Sequence, residues 1–123
     1  MNHTFKPLFF ILLLLSACSP VDERLIEGKW SGIAVIEEGA PISVDPSEIT
    51  MSFGEKGYAY SSTLNYKEAG DYYIEAKYLY TTDTLNQAST KKAVEIVKLT
   101  ADSLVLKMNE NGKERLLMME KMR

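Results

Sequence analysis

From Gly28 to the end of the chain, turn-forming residues return about every dozen positions and separate short segments in which apolar and polar side chains alternate. This rhythm restricts the fold more than any other feature. A period of two places alternate side chains on opposite faces of a strand, whereas a helix needs apolar residues three and four apart. Residues 48–53 (EITMSF) are the clearest case, with Ile49, Met51 and Phe53 on one face and Thr50 and Ser52 on the other. Eight strands are predicted, over residues 28–36, 48–53, 58–64, 71–75, 78–82, 93–99, 103–108 and 113–119. Glu68-Ala69-Gly70 reads as a loop, and Ala76-Lys77 as a tight turn. Asn111-Gly112 is the strongest hairpin signal, because both residue types tolerate positive φ. Pro41 and Pro46 keep residues 37–47 out of any central strand, so this stretch is expected to cross or cover one end of the sheet. Ile96-Val97 and residues 116–119 place apolar groups on both faces, which calls for a bulge or an outside contact.

The first 18 residues are of a different kind. A short start carrying Lys6 leads into the apolar run 8–15, followed by Ser16, Ala17 and Cys18. These are the regions of an export signal, and the run falls short of the about 20 apolar residues needed to span a bilayer. Leu15-Ser16-Ala17-Cys18 resembles the bacterial lipobox, which implies cleavage before Cys18 and lipidation of its thiol. The expected divisions are a signal peptide over 1–17, a tether over 18–26 and one barrel domain over 27–123. Lipidation also accounts for an otherwise unpaired cysteine in an oxidising compartment. Two or more acyl chains anchor a protein durably. The expected location is therefore the cell envelope, with the membrane reached through lipidated Cys18. Ser19 after the cysteine resembles the pattern of lipoproteins that leave the inner membrane, which points to the outer membrane. Asp22-Glu23 is similar to acidic pairs in some surface-displayed lipoproteins, although two acids in a spacer also simply keep it solvated.

Gly28-Lys29-Trp30 matches the G-x-W element that opens lipocalins, and the later segments 53–58, 69–73, 79–80, 97–106 and 111–113 strengthen the match. Together they resemble the small lipocalin-like lipoproteins of Bacteroidetes. The resemblance implies an all-β fold, an eight-stranded antiparallel up-and-down calycin barrel. It also implies that Trp30 plugs the closed end of the barrel with an arginine over its ring, Arg115 being the first candidate and Arg123 the second. That pair is structural. An eight-stranded barrel either fills with side chains or holds one small ligand.

Removal of residues 1–17 discards His3, the one histidine, and leaves Cys18 as the first residue. The remaining domain has no means for Cys/His or Ser/His catalysis or for a Cys/His zinc site. No enzyme activity, cofactor or metal is expected. Excess acid over base and the absence of a glycine-rich phosphate loop argue against nucleic acid. The seven tyrosines all fall between Tyr58 and Tyr80. Tyr58, Tyr60, Tyr72 and Tyr80 are the candidate lining of an amphipathic pocket; the competing reading is cross-strand pairing, as for Tyr73 and Tyr78 outside. Gly32 and Ala34, on the predicted face of Trp30, would leave room inside. The methionines read as fillers of irregular core space, since adjacent Met118 and Met119 cannot chelate one ion from a strand. Glu37, Glu38, Asp45 and Glu48 lack calcium-loop spacing and read as a solvated rim. The leading expectation is non-catalytic binding of a small apolar or amphipathic molecule. The alternative is a protein-interaction module, such as an envelope protease inhibitor or an accessory subunit.

Overall fold

The computed structural model describes residues 21–86 and 91–123, so the signal segment and the Cys18 expectation lie outside the described residues. Among the described residues, nine strands form one antiparallel sheet: β1 (Gly28–Glu37), β2 (Ala40–Pro41), β3 (Thr50–Phe53), β4 (Tyr58–Ser61), β5 (Lys67–Glu75), β6 (Tyr78–Asp83), β7 (Lys91–Leu99), β8 (Ser103–Glu110) and β9 (Lys113–Lys121). The two-residue β2 only extends the far end of β1. The other eight run up and down in chain order, and β9 returns to pair with β1 from Trp30 to Glu37. The result is the closed eight-stranded barrel expected from the alternating segments. Closure leaves no permanent sheet edge at β1 or β9.

A bulge allows β1 to serve two neighbours. Its first residues pair with β3, its later ones with β9, and the register slips between Gly32 and Ala34 so that Ile33 is the extra residue and half exposed. The slip reverses the alternation. Trp30 and Gly32 face inward, but beyond the bulge the inward residue is Val35, and Ala34 does not share the face of Trp30. Gly32 opens no space either. A Cβ at Gly32 would run into the Pro46 carbonyl oxygen, so the missing side chain is what lets the 3-10 turn Pro46–Glu48 press against β1. A second bulge accounts for one two-faced segment: register slips between Ile96 and Lys98, Ile96 is buried and Val97 is exposed. On β9, Leu117 and Met119 enter the core, and Leu116 and Met118 lie half-buried on the outer face opposite Lys107 and Val105.

Two strand boundaries differ by three residues or more from those predicted. β4 stops at Ser61, and Leu64 sits at φ 61° in a 3-10 turn, almost wholly exposed. β5 starts at Lys67, so Glu68-Ala69-Gly70 is strand rather than loop, pairing with Tyr60, Ala59 and Tyr58. Glycine and a charged residue weaken the local strand signal there, and the ladder to β4 overrides it.

One end of the barrel is sealed by the 3-10 turn Glu23–Ile26, which is capped by Asp22 and buries Ile26 against the core. Trp30 is fully buried, and its indole Nε1 donates to the Ile26 carbonyl at 2.8 Å. The cation over its ring is Lys121, with Nζ 4.6 Å from the ring centroid. Lys121 Nζ also donates to the carbonyls of Leu25 and Glu27. Neither predicted arginine is there. Trp30 lies opposite Lys121 in the β1–β9 register, whereas Arg115 lies opposite Glu37 and binds its carboxylate at 2.8 Å. Arg123 pairs with Asp102.

The tight approach at Gly32 gives a direct test. Gly32→Ala is expected to lower stability by about 2 kcal/mol, the scale of an overpacked core, in urea denaturation. An unchanged midpoint would contradict the packing described for the Pro46 turn.

Candidate functional site

The pairing of β7 is uneven. Lys91–Val94 pairs only with β6, and the ladder to β8 begins at Glu95–Lys107 and continues toward Leu99. Beyond that point β8 pairs with β9 alone, so the two strands part on the side away from the plug. A cavity of about 650 Å³ lies there, open through the parting of the strands. Its apolar wall includes Met51, Leu79, Val94, Leu106, Met108 and Leu117. Residues from both faces of β7 and β8 line it, Ala93 and Asn109 among them, as expected for an opening through the wall.

Alternation fixes which tyrosines reach this space. Tyr58 and Tyr60 point inward from β4 and line the cavity. Tyr72 also points inward but turns toward the sealed end, where its ring meets Phe53 edge-on at 5.1 Å and its hydroxyl donates to the Gly54 carbonyl. Tyr80 is outside, because its neighbours Leu79 and Thr81 hold the inward positions of β6. It stacks on Tyr73, its cross-strand partner, with centroids 4.8 Å apart, and Lys91 Nζ lies over both rings. The outside pair is thus Tyr73 with Tyr80, not Tyr73 with Tyr78. Of the four predicted lining tyrosines, the structure brings Tyr58 and Tyr60 together at the cavity and leaves Tyr72 and Tyr80 elsewhere.

The polar centre of the cavity is Glu68, a residue absent from the predicted site. Its position on β5 faces inward with Gly70 and Tyr72, and only about a tenth of its surface is exposed. Three donors converge on its carboxylate: the Tyr58 hydroxyl at 3.0 Å, the Tyr66 hydroxyl at 2.6 Å and Lys92 Nζ at 3.1 Å. Burial pushes the carboxyl up, but the hydrogen bonds from Tyr66, Lys92 and Tyr58 outweigh it, and Glu68 stays below the ordinary value of 4.5. The Tyr66 phenol, whose proton Glu68 accepts, is pushed up to about 12. Burial raises the Tyr58 phenol further still, with Glu68 adding to the effect. Both tyrosines are therefore donors at any physiological pH. Lys92, inward on β7 opposite Thr81, keeps more than half of its side chain exposed.

The rim is braced by Asp83, whose Oδ1 accepts from the backbone N–H of Leu85 and Asn86 and, at 3.4 Å, of Ala69, while Oδ2 accepts from the Asn86 amide. Asp45 likewise serves its own turn, accepting from the Ser47 N–H and hydroxyl. Across the open end, Arg115 and Glu37 join β9 to β1, and Arg115 Nε is buried without an acceptor among the described residues.

No protein-family model matches the chain, and no curated protein matches it. Among the solved structures that share its fold are two from Bacteroides. A lipocalin-like protein from Bacteroides uniformis superposes with a TM-score of 0.61 at 15% identity, covering 80% of this chain and 99% of its own. An uncharacterized protein from Bacteroides eggerthii gives 0.56 at 16% identity, covering 79% and 99%. At such identities the likeness is one of fold, and that fold is lipocalin-like.

The state of Glu68 has a measurable consequence. A carboxyl held below its unfolded value contributes stability that is complete above the unfolded pKa and is lost as pH falls through the folded one. Glu68→Gln is expected to cost about 1 to 3 kcal/mol near neutral pH, since buried donors lose a charged acceptor. The gap from wild type should close as pH drops below 4.5. Denaturation curves across that range would show it; a gap independent of pH would contradict the assignment.

Proposed function

We propose that this barrel binds one small amphipathic molecule, its apolar part against the methionine and aliphatic wall and its polar end beside Glu68 and Lys92. The observation that carries the reading is the cavity of about 650 Å³ on the unplugged side, which falls within the about 300 to 1,000 Å³ of small-molecule sites. An apolar wall with a few convergent polar groups is what such sites share. The lipocalin-like fold is compatible with this use, because a barrel of eight strands is just wide enough for one small guest. The reading requires no chemical step. Binding arises from burial of apolar surface, about 25 cal/mol per Å² removed from water, with polar groups fixing orientation.

We further propose that Cys18 carries lipid and holds the barrel at a membrane of the cell envelope, the outer membrane being the destination favoured by Ser19. The short segment from Cys18 to Asp22 would place the plugged end nearest the lipid. The opening would then face away from the anchoring membrane.

Two measurements test these readings. Val94→Trp, which adds an indole to the apolar wall, is expected to weaken binding of an environment-sensitive naphthalene fluorophore about tenfold or more while leaving the thermal midpoint within a few degrees; equal binding by variant and wild type would reject the cavity as the site. Cys18→Ser is expected to move the protein from the membrane to the soluble fraction. Retention in the membrane fraction would reject the anchor.

A further inference from the structure

The groups around Glu68 differ in what they can still offer a guest. Glu68 is surrounded by three donors and only about a tenth exposed, so a cationic head group cannot reach its carboxylate without displacing Lys92. The hydroxyls of Tyr58 and Tyr66 are spent on that carboxylate. Lys92 is different. Its ammonium has three donors, one of which Glu68 accepts, and more than half of the side chain is exposed. Tyr60 lines the same cavity.

The remaining charges lie at the edge of the opening. Glu95 and Glu114 each approach Lys107 Nζ at 3.7 Å, and Glu95 also faces Lys77 at 3.7 Å. Glu95, Lys107 and Glu114 come from outward positions of β7, β8 and β9, since Val94, Leu106 and Leu117 hold the inward ones. Lys107 is therefore bracketed by two acids outside, and Arg115, on the inward face of β9, is paired with Glu37, which leaves Lys92 as the inward-facing cation among the described residues that line the cavity.

We propose that the molecule this cavity takes carries an anionic head group, a carboxylate or a similar oxyanion, received by Lys92 Nζ with the Tyr60 hydroxyl as second donor. This deepens the binding reading above and rests on it. Glu68 is then a positioning residue. It holds the Lys92 ammonium over the cavity in the empty protein, and its negative charge is itself met by Tyr58 and Tyr66, so the lysine keeps donors free for a guest. The apolar tail of the ligand lies along Val94, Leu106 and Met108, beside the parting of β7 and β8.

Three probes with one tail and three heads separate this proposal from the general one. Dodecanoate, dodecanol and dodecylammonium, each below its micelle concentration, are titrated calorimetrically near neutral pH into wild type, Lys92→Met and Lys92→Arg. Wild type is expected to prefer dodecanoate over dodecanol by about tenfold or more, the scale of one charge-assisted hydrogen bond. Lys92→Met should remove that preference by weakening dodecanoate far more than dodecanol, and a cooperative thermal transition checks that the variant is folded. Lys92→Arg should retain it. Equal or tighter binding of dodecylammonium, or a preference that survives Lys92→Met, overturns the head-group proposal and leaves the cavity reading standing. Failure of all three probes to bind overturns both.

Discussion

The lipocalin-like barrel depends on the sealing of one end around Trp30. A 3-10 turn leaves carbonyls at its end without partners of its own, and here those of Leu25, Ile26 and Glu27 are all claimed by two side chains of the barrel, Trp30 and Lys121. The indole N–H would be costly to bury alone, and the Ile26 carbonyl meets it. The ammonium over the ring adds about 0.5 to 2 kcal/mol, depending on how dry the site is. Because Trp30 belongs to β1 and Lys121 to β9, the same contact fixes the register at which the sheet closes. One polar knot thus closes the barrel around its circumference and across its base.

A sealed base leaves the other half of the interior free to differ. Below the parting of β7 and β8 the core is filled by Trp30, Phe53, Leu104 and Met119. Above it the interior holds Glu68 and Lys92 beside the apolar residues that line the cavity. Bulges at Ile33 and Val97 contribute to this asymmetry, since each reverses the alternation partway along a strand and so decides which side chains meet the interior on either side of it. The polar cluster also has a structural role, joining β7 to β4 and β5 across the interior. A group can serve both ends only if its charge stays satisfied when the cavity is empty, and the three donors on Glu68 meet that condition.

The alternation of Ile49, Met51 and Phe53, the Asn111-Gly112 turn and the G-x-W start carried enough information for strand number, order and closure. Register was not legible, and each misplaced residue follows from that. Arg115 and Lys121 are six positions apart on β9, about 20 Å along a strand, so an error of register exchanges a base cation for a rim cation. Tyr80 looked equivalent to Tyr58 and Tyr60 until the inward positions of Leu79 and Thr81 set its face. Glu68 was hidden because Glu-Ala-Gly resembles a loop. The available signal was that Glu68, Gly70, Tyr72 and Ile74 keep a period of two, which puts a carboxylate on an otherwise apolar face. Lys92 offered no such cue at the polar start of β7.

The central claim is that one half of the barrel is a sealed, packed core and the other an open binding space. Hydrogen exchange, read peptide by peptide with and without a bound amphiphile, tests it most directly. The account predicts strong protection at β1, β9 and the Trp30 base in both states, fast exchange along Lys91–Val94 and Met108–Asn109 in the free protein, and slowing at those two segments when the amphiphile is added. Uniform protection around the barrel, or slowing centred on the Trp30 end, would contradict it.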